Sequence, residues 1–484
     1  MDNSVILWLK RAAEKYPERE AYKDEGSSLT FSETLKIAGS VGTWLLKKDI
    51  PEGPVAIMLE KKPETVAVFL GTAYSGHAYA PVGTDIPEDR KEKILKRLNP
   101  SFIIDEKNVE EALKCSADQE LLTKALKKTA ATDPLYIIFT SGSGGDPKGV
   151  LTSHLSLMNY ITSFSKVMGV TEDDVLTSQS PLDYIAAIRD IYIPLLTGAS
   201  DLLVPKEFFM QPERLFSYLN ENRASCMFWS VSAFTILSKL KALKSGKPEY
   251  VNKVCFSGSV MSPLCLREWQ DSLEDAVFVN QYGPTETTAS CTYQVVDHKV
   301  NENEVIPAGK PFDNYRVFLL SPDGKRVKTG EEGEITVGGA GVTLGYINDP
   351  ERTGNAYVQN PLITSYRDIV YKTGDLGVMD EDNVLYFHGR KDRQIKYLGH
   401  RVELDEIEAA AVSSGISSSA AFYDEKKEQL WLFYEDDFDK KEVALKLRER
   451  LPGFMVPRKI ERVDPFPRLP NGKTDLTELK NMIR

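Results

Sequence analysis

Five short stretches carry residue types that could handle a polyanionic ligand. In Thr140-Ser141-Gly142-Ser143-Gly144-Gly145-Asp146-Pro147-Lys148-Gly149 the glycines let backbone N–H groups approach an anion, the hydroxyls add donors and the lysine adds charge. The order Lys-Gly departs from the Walker Gly-Lys-Ser/Thr, and Pro147 stands where a GxGxxG loop needs its last glycine. Asn280-Gln281-Tyr282-Gly283-Pro284-Thr285-Glu286-Thr287-Thr288 offers an aromatic face suited to a purine. It also offers one carboxylate of the kind that binds Mg²⁺ beside phosphates. Asp375, in Tyr371-Lys372-Thr373-Gly374-Asp375-Leu376-Gly377, could accept hydrogen bonds from ribose hydroxyls. Residues 389–408 (GRKDRQIKYLGHRVELDEIE) form a dense charge run suited to a hinge. Lys473, in Pro470-Asn471-Gly472-Lys473-Thr474-Asp475, sits on an Asn-Gly turn from which domain closure could deliver it to a distant site. Each stretch alone also reads as an ordinary loop, turn or solvated face.

The elements needed to position these residues alternate along the chain. Strand-like runs VAIMLE (55–60), YAPV (79–82), SFIID (101–105) and LYIIFT (135–140) are separated by helical patterns, which implies α/β architecture with parallel sheet. Leu29 to Leu46 reads as a turn and a helix capped by Ser32. After about residue 305, short strands joined by Asp-Gly and Glu-Gly turns read as an antiparallel piece, and residues 392–484 as a small α+β segment. The 484 residues carry 60 Lys+Arg against 71 Asp+Glu, a net charge of −11, which argues against a nucleic-acid or polybasic membrane binder. Five dispersed cysteines without a CxxC pair read as reduced thiols. With neither a signal-peptide pattern nor a run of about 20 apolar residues, the expected location is cytoplasmic. HExxH, Cys/His zinc spacing, GxSxG and the kinase signatures are all absent from the sequence.

In this order and spacing, over nearly the whole chain, the five motifs resemble the ANL adenylate-forming superfamily. Within it they resemble amino-acid adenylation domains of nonribosomal peptide synthetases and free-standing D-alanine–carrier-protein ligases. The resemblance implies a large α/β N-terminal domain (1–391) of parallel sheets with a small β-barrel subdomain, followed by a small mobile α+β domain (392–484). It implies an ATP site made by Thr140, Ser141, Gly142, Ser143, Lys148, Asn280, Gln281, Tyr282, Gly283, Pro284, Thr285, Asp375, Phe387, Arg390 and Lys473. Glu286 would face Mg²⁺, Asp392 would be the hinge, Lys473 would contact both the substrate carboxylate and the phosphate, and Gly399 would lie on the carrier face. Gly144 stands where the family usually has Thr, so one hydroxyl donor is missing, and Leu182 replaces the common Phe.

The resemblance pairs Asp183 with the substrate ammonium, which selects an amino acid over a fatty or aryl acid. The rest of the substrate pocket is expected from Tyr184, Ala187, Trp229, Cys255, Ser257, Gln281, Ala289 and Ser290. No formal charge among these faces the substrate side chain, which favours a neutral one. Residues 75–82 (SGHAYAPV) resemble the D-alanine ligases, whereas Ser257 stands where those usually have Cys. The implied reaction is ATP-dependent formation of aminoacyl-AMP, then transfer to the phosphopantetheine thiol of a separate carrier protein. An acyl- or aryl-CoA synthetase and a degenerate nucleotide-binding homologue are the alternatives.

Overall fold

The computed structural model describes residues 2–142, 146–425, 427–468 and 474–483. Two residues of the expected site, Ser143 and Lys473, lie outside the described residues, as does Gly144. Contacts divide the chain into two compact units. The first comprises Met1–Thr84, Leu98–Ile138 and Gly149–Lys391; the second comprises Asp85–Arg97, Phe139–Lys148 and Asp392–Arg484. The sequence reading keeps 85–97 and 139–148 with the N-terminal body, whereas by contacts they group with the C-terminal segment.

The first unit is mixed α/β. Its nine-stranded sheet has a parallel centre in which Val277–Tyr282, Lys253–Ser257, Cys226–Ser230, Val175–Ser178 and Ser200–Leu203 are successive neighbours. Central strands such as Cys226–Ser230 are buried along their whole length, as expected where helices cover both faces. A six-stranded sheet is built around Val55–Met58, Tyr79–Pro81 and Pro134–Thr140, and the last of these runs into the hydroxyl-rich loop. A five-stranded antiparallel half-barrel sheet, with Ile369–Met379 pairing Gly333–Gly339 on one side and Leu385–Arg390 on the other, carries Asp375 and Arg390. On this sheet the buried Glu334 carboxylate receives Lys391 Nζ at 3.0 Å and Lys372 Nζ at 3.3 Å, while Lys391 N donates to the Gly374 carbonyl.

The helix Phe31–Lys47 shows how local sequence sets a boundary. Its cap is Thr30 and not Ser32, because Thr30 has a glutamate three residues on. Thr30 Oγ1 accepts from Glu33 N at 3.1 Å and Glu33 Oε2 accepts from Thr30 N at 2.9 Å, a reciprocal capping box.

The second unit has its own core of Tyr397, Val402, Ile407, Leu432, Val443 and Leu447. Strands Gln394–Tyr397 and His400–Glu403 form a hairpin with Leu398 and Gly399 at its tip, both at positive φ (50° and 81°), the pattern of a two-residue type I′ turn. A three-stranded sheet, Ser419–Asp424, Gln429–Tyr434 and Lys459–Arg462, completes it with helices Leu404–Ser413 and Lys440–Arg448. Among the described residues no helix is long and apolar enough to cross a membrane.

Candidate active site

The strand Val277–Tyr282 ends in Tyr282, whose hydroxyl donates to Asp375 Oδ2 at 2.5 Å. Asp375 and Arg390 are register partners on adjacent antiparallel strands, and Arg390 Nη1 donates to Asp375 Oδ1 and, at 3.2 Å, to the Thr373 carbonyl. Asp375 N in turn donates to Thr373 Oγ1 at 3.0 Å, which fixes the carboxylate at its turn. Burial and the neighbouring Asp375 charge push the Tyr282 phenol well above its ordinary value, so it remains a donor. Phe387 lies 6.0 Å from Tyr282, ring centre to ring centre, with the planes tilted by 37°. Two aromatic rings and an anchored carboxylate thus converge where one sheet meets the next, a set suited to a flat heteroaromatic ring carrying a diol. Asn280 Nδ2 donates to the Pro307 carbonyl at 2.8 Å.

After Tyr282 the backbone is crowded. A Cβ on Gly283 would lie 2.4 Å from Ser290 Cα and 2.7 Å from Cys291 N. Pro284 leads into a single turn of 3₁₀ helix, Thr285–Thr287, followed by Thr288 and Ala289 at φ 55° and 71°. Positive φ is costly for a β-branched residue, and the Thr288 hydroxyl holds it by donating to the Gly341 carbonyl at 2.7 Å. Glu286 is fully buried in this turn, and its Oε1 accepts from the Tyr346 hydroxyl at 2.7 Å. Among the described residues no group of three or more His, Cys, Asp or Glu could hold a metal alone. One buried carboxylate fits Mg²⁺, which takes one or two protein carboxylates and fills its shell with water and phosphate oxygens.

The expected substrate residues fall into two groups. Asp183 and Tyr184 lie half-buried in the turn before helix Ala187–Thr197, which begins with the fully buried Ala187. Ser257 and Gln281 are register partners, and with Cys255 they form one face of the parallel strands at their C-terminal ends. Open α/β sheets bind ligands at such strand ends. Trp229 does not join them. Alternation along Cys226–Ser230 puts Phe228 in the core that contains Cys255 and puts Trp229 in a separate core beneath the opposite face. There Trp229 packs with Phe209 and Phe234, and its Nε1 donates to Thr177 Oγ1 at 2.9 Å.

A formal charge does lie among the expected residues. Arg189, 1% exposed, comes from helix Ala187–Thr197 and brings Nη1 to Cys255 Sγ (3.7 Å), Ser257 Oγ (3.5 Å) and Gln281 Oε1 (3.4 Å). Tyr160, also unforeseen, donates its hydroxyl to the same Gln281 Oε1 at 3.2 Å. A signal for Arg189 was available: Arg-Asp interrupts the otherwise apolar run AAIRDIYIPLL.

In the second unit, Ser141 Oγ donates to the Arg401 carbonyl at 2.7 Å, and Thr140 Oγ1 is buried without a hydrogen-bond partner. Gly142 is buried and Lys148 is half-buried at the start of strand Lys148–Ser153. Asp392 Oδ1 accepts from Gln394 N at 3.2 Å.

The model of the AMP-binding enzyme family matches residues 9–347. Tyrocidine synthase 1 of Brevibacillus parabrevis is 28% identical over 98% of this chain, which spans only 44% of that protein's length. A D-alanine--D-alanyl carrier protein ligase of Bacillus cereus is 27% identical over 99% of both chains. The structure of holo-PA1221, an NRPS protein containing adenylation and PCP domains, is similar with a TM-score of 0.85 and 25% identity, covering 99% of this chain and 84% of that one.

Proposed function

Because the chain belongs to the AMP-binding enzyme family and has the ANL fold, we propose that this adenylate-forming enzyme activates an amino acid with ATP. The products are aminoacyl-AMP and pyrophosphate. The aminoacyl group then passes to the phosphopantetheine thiol of a separate carrier protein. The observation that carries the reading is the Tyr282–Asp375–Arg390 cluster beside Phe387, a nucleoside-shaped set at strand ends. The end-to-end likeness to a carrier protein ligase supports the second step.

In this reading the substrate carboxylate attacks the α-phosphorus in line, a carboxyl–phosphorus bond forms, and pyrophosphate leaves with the bonding pair. The protein positions the reactants and offsets charge. Tyr282 and Phe387 hold the purine, and Asp375, kept in place by Arg390, accepts from the ribose hydroxyls. Glu286 would ligate Mg²⁺, which supplies charge neutralisation at the phosphates. Asn280 and Thr285 border the α-phosphate, while Thr140, Ser141, Ser143 and Lys148 donate to the outer phosphates. Asp183 pairs with the substrate ammonium. Lys473 stabilises the transition state, and rotation at Asp392 then exchanges it for the face bearing Gly399, where the thiol attacks the acyl carbon and expels AMP.

The test separates the two half-reactions. Lys473→Ala is expected to abolish amino-acid-dependent pyrophosphate exchange and to spare transfer from supplied aminoacyl-AMP to a holo carrier protein. Equal loss of both would remove Lys473 from the first step. Exchange supported by plain carboxylic acids but by no amino acid would replace the reading with an acyl-CoA synthetase.

A further inference from the structure

Arg189 is a buried charge that its own surroundings leave without a close partner. The side chain is 1% exposed and makes no ion pair among the described residues. Its four hydrogen bonds to oxygen are long, Ser257 Oγ at 3.5 Å, Gln281 Oε1 at 3.4 Å, and the Phe228 and Ala186 carbonyls at 3.5 Å, and a fifth goes to the weak acceptor Cys255 Sγ at 3.7 Å. A guanidinium facing a carboxylate makes bonds of about 2.7–2.9 Å. Burying a cation without a partner is among the costliest arrangements in a protein, so such a group implies a partner that arrives from outside.

The adjacent Asp190 makes no ion pair with it. Successive helix residues point about 100° apart. Asp190 lies beside the Ser178 hydroxyl, and burial holds its carboxyl up at about 7 against the pull of the Arg189 and Lys61 charges, so it answers Arg189 only through space. Arg189 faces the other way, onto the strand ends. A second unspent donor stands there: Gln281 Nε2 is buried with no hydrogen-bond partner, while Gln281 Oε1 is already taken by Tyr160 and Arg189. The neighbouring Ala187, Cys255 and Ser257 are small.

We infer that Arg189, assisted by Gln281 Nε2, is the counter-charge for a second carboxylate on the activated acid, so that the substrate class is an acidic amino acid of the aspartate or glutamate type. The inference rests on the proposed function and replaces the neutral side chain that the sequence favours. It makes Arg189 a specificity-determining residue: the acid fills the guanidinium fork, whereas the isosteric amide leaves the charge uncompensated.

The test is pyrophosphate exchange by the full chain with L- and D-aspartate, glutamate, asparagine, glutamine, alanine and leucine. The acid is expected to exceed its own amide in kcat/KM by about a hundredfold or more. Arg189→Met should lower kcat/KM for the acid by about the same factor and reverse the acid-to-amide ratio. Arg189→Lys should keep the ratio above one at a reduced rate, since lysine retains charge but not the bidentate fork. Preference of the wild type for a neutral amino acid would overturn this inference and leave the proposed function intact. Exchange with no amino acid, while ATP still binds, would overturn both. Should Arg189→Met fail to fold, the wild-type ratio and Arg189→Lys still decide.

Discussion

Gly283→Ala probes the junction on which the nucleoside cluster depends. The added Cβ would sit 2.4 Å from Ser290 Cα, 2.9 Å from Ser290 C and 2.7 Å from Cys291 N, all backbone atoms that cannot swing away. Ser290 and Cys291 must retreat by about 1 Å to reach van der Waals contact. That retreat stretches the Cys291 N to Tyr282 carbonyl bond, now 2.8 Å, which opens the pairing of Val277–Tyr282 with Thr292–Val296. Overpacking of about 1–3 kcal/mol and a lost hydrogen bond of about 1 kcal/mol give an expected destabilisation of about 2–4 kcal/mol. If Tyr282 moves instead, its 2.5 Å bond to Asp375 breaks, and a 1 Å misplacement costs about a hundredfold in rate. Urea unfolding and pyrophosphate exchange measure the two effects. Gly354→Ala is the control: nothing lies within 4 Å of its Cβ, and alanine favours the helix Pro350–Ala356. A Gly283→Ala enzyme matching wild type in both assays would refute the argument that backbone crowding dictates this glycine.

Burial holds His154 neutral, lowering its imidazole from the ordinary 6.5 to about 4. The unfolded chain therefore binds a proton that the native state refuses. The stabilisation is present above pH 6.5 and lost as pH falls towards 4, about 3 kcal/mol in all, and His154→Gln should flatten that acid limb in urea titrations. Trp229→Ala should cost about 3–5 kcal/mol in unfolding experiments while leaving the order of amino-acid preference unchanged, because the indole lies in the core beneath the opposite sheet face. Asp392→Pro fixes φ at the proposed hinge and should spare pyrophosphate exchange but block thioester formation; normal loading of a holo carrier protein would refute the hinge.

The sequence made the parallel α/β body legible because largely buried strands such as VAIM and CMFWS read as continuous apolar runs. Glycine-marked turns made the positions of Tyr282, Asp375 and Arg390 legible. What it hid were facts of phase and side-chain direction. Trp229 lies one residue from Phe228, which shares a core with Cys255, and one residue on a strand reverses the face. Arg189 reaches Cys255, Ser257 and Gln281 from a helix, and no turn or glycine flags a side chain that crosses to a neighbouring sheet. Thr30 displaced Ser32 as a cap because the decisive partner, Glu33, lies three residues from one and only one from the other.

The Glu334 carboxylate, shared by Lys372 and Lys391, has a mechanical meaning. Residue 391 is moored twice, by its ammonium and by its N–H to Gly374, and it is the last residue of the first unit. One residue on, Asp392 Oδ1 accepts from Gln394 N, within the second unit. An anchored residue that ends the first unit is thus followed directly by the residue that opens this part of the second, with no spare linker between them. Conformational entropy of about 1–2 kcal/mol per residue is all that such a joint can lose when it settles in one orientation. For the hinge proposed at Asp392, a joint so short would make any movement a rotation about an anchored residue, as a bearing does about its post.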